Sequence, residues 1–132
     1  MTKQLILLAF SFLLFSCHKD DNNNNNNVDV SKGTWRVTLF TDSGNDETSD
    51  FSGYVFTFGS GGVLTVVSNP ENKTGTWSRG SKFNIDLGAK SDSNKPLGEL
   101  TDDWKIISIS STEIKLSDDN PASGESLTFT QN

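Results

Sequence analysis

The chain has 132 residues, of which 33% are hydrophobic and 21% are charged, and its formal net charge is −6. This length corresponds to about one domain. The acidic balance argues against nucleic-acid binding, which requires basic residues to meet the phosphates. One Cys and one His exclude a Cys/His zinc site and an internal disulfide framework. No cofactor is expected.

The first 16 residues have the pattern of a secretory signal. Lys3 supplies a basic n-region, residues 5–15 form an apolar h-region, and the small Ser16 precedes Cys17. The apolar run is shorter than the roughly 20 residues of a membrane-spanning helix. We therefore predict that residues 1–16 are a signal peptide that is removed on export.

The residues around the predicted cleavage site indicate a lipid anchor. Leu14-Phe15-Ser16-Cys17 resembles the lipobox of bacterial lipoproteins, which implies that Cys17 is acylated and becomes the new N-terminus. Acylation also explains an unpaired cysteine in an exported protein. Several acyl chains, each worth about 0.8 kcal/mol per buried CH₂, anchor a protein stably.

A short charged segment follows Cys17. His18-Lys19-Asp20-Asp21 resembles the Lys-plus-two-acids export signal of Bacteroidetes-type surface lipoproteins. The resemblance implies that Lys19, Asp20 and Asp21 direct the protein to the outer face of the outer membrane. The alternative is a solvated charged stub. An unbroken Asn run follows, and we predict that residues 17–30 are a disordered tether.

Residues 31–132 are predicted to form one all-β domain, because the apolar residues recur with period two. Eight segments carry this pattern, with turn residues between them. The sixth segment has an irregular pattern that indicates a β-bulge, and residues 96–103 have room for one or two helical turns. The predicted strands are residues 34–40, 54–58, 63–67, 76–79, 82–87, 104–109, 113–116 and 126–130.

Eight short strands with one apolar face each predict a closed antiparallel barrel or a sandwich. The first, third (68–75), fifth and seventh connections are long, whereas the second, fourth and sixth are tight. In an up-and-down meander the long connections collect on one rim, and both chain ends, at Lys32 and Gln131, lie at the other. The residues predicted to face inward are Trp35, Val37, Leu39, Tyr54, Phe56, Phe58, Trp77, Phe83, Ile85, Leu87, Ile114, Leu116, Leu127 and Phe129.

Several short motifs occur in the order found in lipocalins. Gly33-Thr34-Trp35, residues 51–58, Gly75-Thr76-Trp77, residues 100–104 and Leu127-Thr128-Phe129 resemble the small lipocalin-like domains of such surface lipoproteins. The resemblance implies a small eight-stranded up-and-down barrel and the binding of an apolar ligand. One departure is clear, because lipocalins pair the first Trp with an Arg from the end of the barrel, and no Arg follows Arg79.

The sequence favours a protein that is not an enzyme. His18 lies in the predicted tether, and no Gly-X-Ser-X-Gly nucleophile motif occurs. Acidic residues are plentiful, but nothing in their spacing singles out a pair of carboxylates for glycoside hydrolysis.

The long loops contain clusters of acidic residues, which are candidate ligands for Ca²⁺. The first loop carries Asp42, Asp46, Glu47 and Asp50, and the seventh carries Asp118, Asp119 and Glu125. Ca²⁺ takes six to eight oxygen ligands, and the spacing does not match an EF-hand. Solvated acidic loops are the favoured interpretation, and no metal site is predicted.

Two functions remain open for a membrane-anchored surface lipoprotein of this kind. One is capture of a small apolar ligand in a shallow pocket at the long-loop rim, lined by Leu39, Tyr54, Leu87 and Trp104. The other is an interaction or structural envelope role, in which the acidic rim binds a protein or glycan partner. A hollow barrel favours the first function. A filled barrel, which the many large inward side chains predict, favours the second.

Overall fold

The computed structural model describes residues 28–132. The predicted signal peptide, Cys17 and the segment of Lys19, Asp20 and Asp21 lie outside the described residues. Within residues 28–132, no helix has the length and apolar character needed to cross a bilayer.

The described chain forms a single antiparallel sheet that closes on itself, because β1 pairs with β9 as well as with β3. A two-residue strand, β2, extends the end of β1, so the barrel wall has the predicted eight strands. Short 3₁₀ helices lie at Thr48–Phe51, Asp92–Asn94, Leu97–Leu100 and Pro121–Ser123. The strands are β1 Trp35–Asp42, β2 Asn45–Asp46, β3 Val55–Phe58, β4 Val63–Ser68, β5 Glu71–Arg79, β6 Lys82–Asp86, β7 Asp102–Ile109, β8 Glu113–Ser117 and β9 Ser126–Gln131.

The two ends of the barrel differ as the loop lengths predicted. The tight turns at residues 59–62, 80–81 and 110–112 lie at one end, which we call the closed end. Both ends of the described chain meet there, since the Gln131 side-chain Nε2 donates a hydrogen bond to the Lys32 carbonyl at 2.9 Å. The predicted placement of Lys32 and Gln131 together at the tight-turn end is confirmed.

The third connection is not the long loop that the sequence predicted. Strand β5 begins at Glu71, and Ser68 pairs directly with Glu71, so only Asn69 and Pro70 join β4 to β5. The first half of β5 consists of polar residues and glycine, and most of these residues are exposed. A strand without a buried apolar face gives no alternating pattern to detect. The long loops at the opposite end, which we call the rim, are therefore the first, fifth and seventh.

A bulge in β1 corrects the predicted position of Leu39. The pairing of β1 with β9 shifts register between Val37 and Leu39. One extra residue turns the following side chains to the opposite face of the sheet. Leu39 is consequently 37% exposed on the outer wall, and Phe40 is fully buried instead. The bulge predicted in the sixth strand is confirmed by a register shift between Ile106 and Ser108 in β7.

Aromatic rings fill the barrel interior. The Phe58 ring lies 5.3–6.3 Å, between centroids, from the rings of Trp35, Trp77, Phe83 and Phe129. These pairs meet edge to face, which is a favoured geometry for aromatic side chains. Of the residues predicted to face inward, all but Leu39 are buried or, for Tyr54 and Trp77, packed against the core while half-buried.

The closed end is covered by residues that the sequence assigned to the tether. Val30 is buried in the core, and Val28 packs against it. The core therefore includes residues that precede Ser31. Within residues 28–132 the buried apolar side chains form one continuous core.

A candidate binding surface at the rim

The four residues predicted to line a ligand pocket do not come together around an open space. Leu39 faces outward because of the β1 bulge, and Leu87 and Trp104 are fully buried. Tyr54 is half-buried and contacts the Phe51 ring edge to face at 6.4 Å. Of the four, Tyr54 alone lines a groove at the rim.

A segment of the fifth loop covers the mouth of the barrel. Leu97 and Leu100 insert apolar side chains into the core, and the Trp104 indole N–H donates a hydrogen bond to the Leu100 carbonyl at 2.9 Å. The short 3₁₀ helix Leu97–Leu100 falls within the stretch that had room for helical turns. No pattern in the sequence indicates that this turn folds back over the barrel.

Two polar side chains fix the covering segment in place. The Thr101 hydroxyl accepts a hydrogen bond from the Leu87 N–H at 2.9 Å and donates one to the Gly88 carbonyl at 2.7 Å. The Asn94 side-chain amide donates to the carbonyls of Leu87 at 3.1 Å and Ala89 at 2.9 Å. These bonds join the two ends of the fifth loop, because side chains from its middle and its end bond to the backbone at its beginning.

The first and seventh loops are joined into one surface. The Ser43 N–H donates to the Ser123 carbonyl at 3.0 Å, and the Gly44 N–H donates to the Gly124 carbonyl at 3.3 Å. Gly124 has a φ of +62°, and a Cβ there would lie 2.6 Å from the Gly44 nitrogen. Glycine is therefore required for this close approach of the two loops.

The rim brings carboxylates from different loops into two groups of three. In each group the carboxylate oxygens lie within 4.8 Å of one another. The acids of the first and seventh loops were recognised in the sequence, but Glu99 and Asp102 were not, because they join the groups only through folding. The first group is Asp42, Glu47 and Glu99, and the second is Asp102, Asp118 and Glu125.

Burial and mutual repulsion alter the protonation of one member of each group. Burial raises the pKa of Glu47, and the nearby charges of Glu99, Asp42 and Asp50 raise it further. Burial also raises the pKa of Glu125, although the neighbouring Lys90 ammonium acts in the opposite direction. The folded rim therefore disfavours the ionised form of these two carboxylates relative to the unfolded chain.

Lysines compensate part of the rim charge. Lys90 pairs with Asp102 at 2.7 Å, and Lys95 lies 3.4 Å from Glu99 and 3.6 Å from Asp92. Each group brings together one oxygen from each of three carboxylates, whereas Ca²⁺ takes six to eight oxygen ligands. The arrangement is that of an acidic surface partly neutralised by lysine, and its residual charge is negative.

Several surface grooves lie at or near the rim, and two of them border β5. The first, which we call the mouth groove, has a volume of about 280 Å³ and runs between the β4–β5 hairpin and the fifth loop. The second has a volume of about 360 Å³ and crosses the wall formed by β5, β6 and β7. The mouth groove is lined by Tyr54, Val66, Glu71, Asn72, Lys73, Ser93, Asn94, Lys95 and Leu97.

Together these features define a closed eight-stranded antiparallel barrel with an aromatic-filled interior and an acidic rim. No protein-family model matches the chain, and no curated protein matches it. Among solved structures, the chain is similar to the crystal structure of a DUF4847 family protein from Bacteroides vulgatus ATCC 8482. The two share 17% sequence identity and superpose with a TM-score of 0.56, over 78% of this chain and 94% of that one. This likeness shows the fold.

Proposed function

We propose that this protein is a non-enzymatic lipoprotein of the bacterial outer membrane, displayed on the cell surface through acylated Cys17. Its barrel serves as a rigid scaffold, and its acidic rim binds a partner protein through a cationic segment. The lipobox-like and export-signal-like residues support the anchoring and the location. The filled barrel supports the choice of the rim over the interior.

The observation that carries this proposal is the packing around Phe58. Four aromatic rings surround it inside the barrel, next to the closed end, and the Leu97–Leu100 turn covers the mouth. A typical ligand cavity of about 300–1,000 Å³ would require these side chains to move. Loops held by a rigid scaffold are the usual carriers of binding residues, and here the first and seventh loops are joined by backbone hydrogen bonds.

The charge of the rim supports a cationic partner. The two carboxylate groups contribute six acids, and Lys90 and Lys95 lie beside them. A surface with an excess of one charge sign attracts groups of the opposite charge. This attraction weakens when salt is added. A glycan partner is the competing interpretation, and it would bind with little dependence on salt.

A charge-neutralisation experiment tests the rim. Residues 18–132 are titrated with a fluorescent lysine-rich peptide, and a triple variant replaces Asp42, Glu47 and Glu99 with Asn, Gln and Gln. We expect binding of the peptide to weaken at least tenfold in the variant and to fall as salt is raised. The control variant neutralises two acids at the closed end, Asp29 and Glu113, by substitution with Asn and Gln. Equal losses in both variants would contradict a specific rim site.

Capture of a small apolar ligand is a second candidate function, and one observation favours it. The mouth groove places the ring of Tyr54 and the side chain of Leu97 beside an open space of about 280 Å³. Tyr54 is the one predicted ligand residue that the fold leaves both half-buried and accessible. Any such ligand would bind outside the filled barrel, against the covering segment.

A further inference from the structure

We propose that the mouth groove binds small amphiphilic carboxylic acids, with Lys73 holding the carboxylate and Tyr54, Val66 and Leu97 forming the apolar wall. This inference rests on the second candidate function and names the class of ligand. It follows from the position of one lysine in the inward register of a strand.

Lys73 occupies an unusual place for a lysine. Along β5, alternate residues are partly buried, so Lys73 shares the inward register with Trp77 and is half-buried at the mouth. Its ammonium donates a hydrogen bond to the side-chain oxygen of Asn94, which is a neutral acceptor. No carboxylate of residues 28–132 forms an ion pair with it, whereas Lys90 and Lys95 are each paired with acids. Glu71 lines the same groove but forms no direct ion pair with Lys73 among the described residues, so the Lys73 ammonium is free to meet the carboxylate of a ligand.

Asn94 is oriented so that it presents an oxygen to this ammonium. Its side-chain nitrogen donates to the carbonyls of Leu87 and Ala89, and this fixes the amide with its oxygen toward Lys73. A lysine ammonium has three donors, and Asn94 uses one. The remaining donors can reach a ligand carboxylate without breaking the contact that positions the side chain.

The apolar part of the groove suits a short acyl chain or a single ring. Val66 and Leu97 are almost completely buried, and they form a firm wall beside the Tyr54 ring. The phenol of Tyr54 adds a hydrogen-bond donor to the same groove. The volume of about 280 Å³ lies just below the range of about 300–1,000 Å³ for ligand sites. An ammonium beside apolar surface matches an acid that carries a compact hydrophobic group.

Attraction between opposite charges is stronger at a half-buried site than in bulk water. The groove should therefore prefer an acid to the alcohol of the same length, although the protein as a whole is acidic. Octanoate and octan-1-ol form a matched pair of probes, because they differ in the charge of the head group and share the apolar chain.

Calorimetric titration of residues 18–132 tests this preference. We expect octanoate to bind roughly tenfold more tightly than octan-1-ol, as one charge-assisted contact provides. Lys73→Met should abolish that preference and leave binding of octan-1-ol unchanged, whereas Lys73→Arg should retain part of it. Lys105→Met, on the exposed outer wall of β7, is the matched control and should bind as the wild type does. Urea unfolding of each variant confirms that it is folded.

The outcomes separate the ligand class from the function beneath it. If octan-1-ol binds as tightly as octanoate, the groove captures apolar molecules and the role of Lys73 is wrong. If Lys73→Met retains the preference for the acid, the carboxylate binds elsewhere and the proposal is again overturned. If neither compound binds to the wild type, capture of small amphiphiles fails together with this inference, and partner binding by the rim is unaffected.

Discussion

Trp35 and Arg79 hold the same short segment of backbone against the closed end of the barrel. The Trp35 indole N–H donates a hydrogen bond to the Val30 carbonyl at 3.0 Å, and the Arg79 guanidinium donates to the Val28 carbonyl at 2.6 Å. The resemblance to lipocalins implies that the first Trp pairs with an Arg from the end of the barrel. In this barrel Arg79 of β5 and Trp35 are instead linked indirectly, because each donates a hydrogen bond to a backbone carbonyl of residues 28–30.

Removal of residues 28–30 should destabilise the domain. A chain that begins at Ser31 loses the buried Val30 side chain and the two carbonyl acceptors, so we expect its free energy of unfolding to fall by about 2–4 kcal/mol relative to a chain that begins at Val28. Urea denaturation followed by Trp fluorescence measures the difference. The exposed Lys105 on the outer wall of β7 provides a control, because Lys105→Gln should change stability by less than about 0.5 kcal/mol. Equal midpoints for the two chain lengths would show that the segment is not part of the folded unit.

Truncation of Phe58 should have a large effect because its ring contacts four others. We expect Phe58→Ala to lower the free energy of unfolding by about 3–5 kcal/mol, the range for removal of a buried aromatic side chain. Val63 provides a contrast on the outer wall, where it is 49% exposed, and Val63→Thr should change stability by less than about 0.5 kcal/mol. A small effect of Phe58→Ala would indicate a loosely packed interior with space for a ligand.

Glu47 should make the folded protein less stable as the pH rises. Its pKa in the folded state is raised above the ordinary value of 4.5 by burial and by neighbouring acids. The favourable contribution of Glu47 to the free energy of unfolding is therefore complete below about pH 4.5. It is lost as the pH rises through the pKa of Glu47 in the folded state. We expect Glu47→Gln to be more stable than the wild type at pH 7 and equal to it near pH 3.5. Urea midpoints across this range measure the difference.

Asp46 provides the opposite case in the neighbouring position. The Thr48 hydroxyl and backbone N–H donate to its carboxylate at 2.6 and 3.0 Å, and these bonds lower its pKa. Its contribution to stability is present above the ordinary value of 3.8 and is lost as the pH falls. Asp46→Ala should thus be less stable than the wild type at neutral pH. A shift in the same direction for both variants would contradict this assignment of the two groups.

Replacement of Cys17 should release the protein from the membrane. The lipobox-like sequence makes Cys17 the expected acylation site, and a serine there carries no thiol for the lipid. We expect Cys17→Ser to move from the membrane pellet to the soluble fraction when cells are fractionated. The pellet is washed with high salt, so that electrostatic adsorption is removed. Variant protein that stays in the washed pellet would refute the lipid anchor.

The charged residues after Cys17 should control display and leave anchoring unchanged. Substitution of Lys19, Asp20 and Asp21 by Ala is expected to keep the protein in the membrane fraction while abolishing its exposure on the cell surface. Protease treatment of intact cells measures that exposure, and fractionation of the same cells confirms that the anchor is intact. Unchanged digestion by the protease would show that these three residues are not an export signal.

The sequence by itself determined the strand count, the inward faces of most strands and the meeting of the chain ends. These features follow from period-two alternation and from loop lengths, which are local properties of the chain. The irregular pattern of the sixth segment even predicted the bulge in β7. Anchoring and surface display remain predictions, because Cys17, Lys19, Asp20 and Asp21 lie outside the described residues.

Tertiary structure decided the features that depend on pairing between distant segments. The β1 bulge moved Leu39 to the outer wall, since its side depends on the register with β9. The exposed half of β5 carried no apolar signal, and so its inward Lys73 was not recognised. The Leu97–Leu100 turn covers the mouth of the barrel because both leucines pack into the core. The local sequence pattern does not show that the core has room for them. The rim carboxylates likewise come from the first, fifth and seventh loops, and only the closing of the barrel brings the members of each group within 4.8 Å of one another.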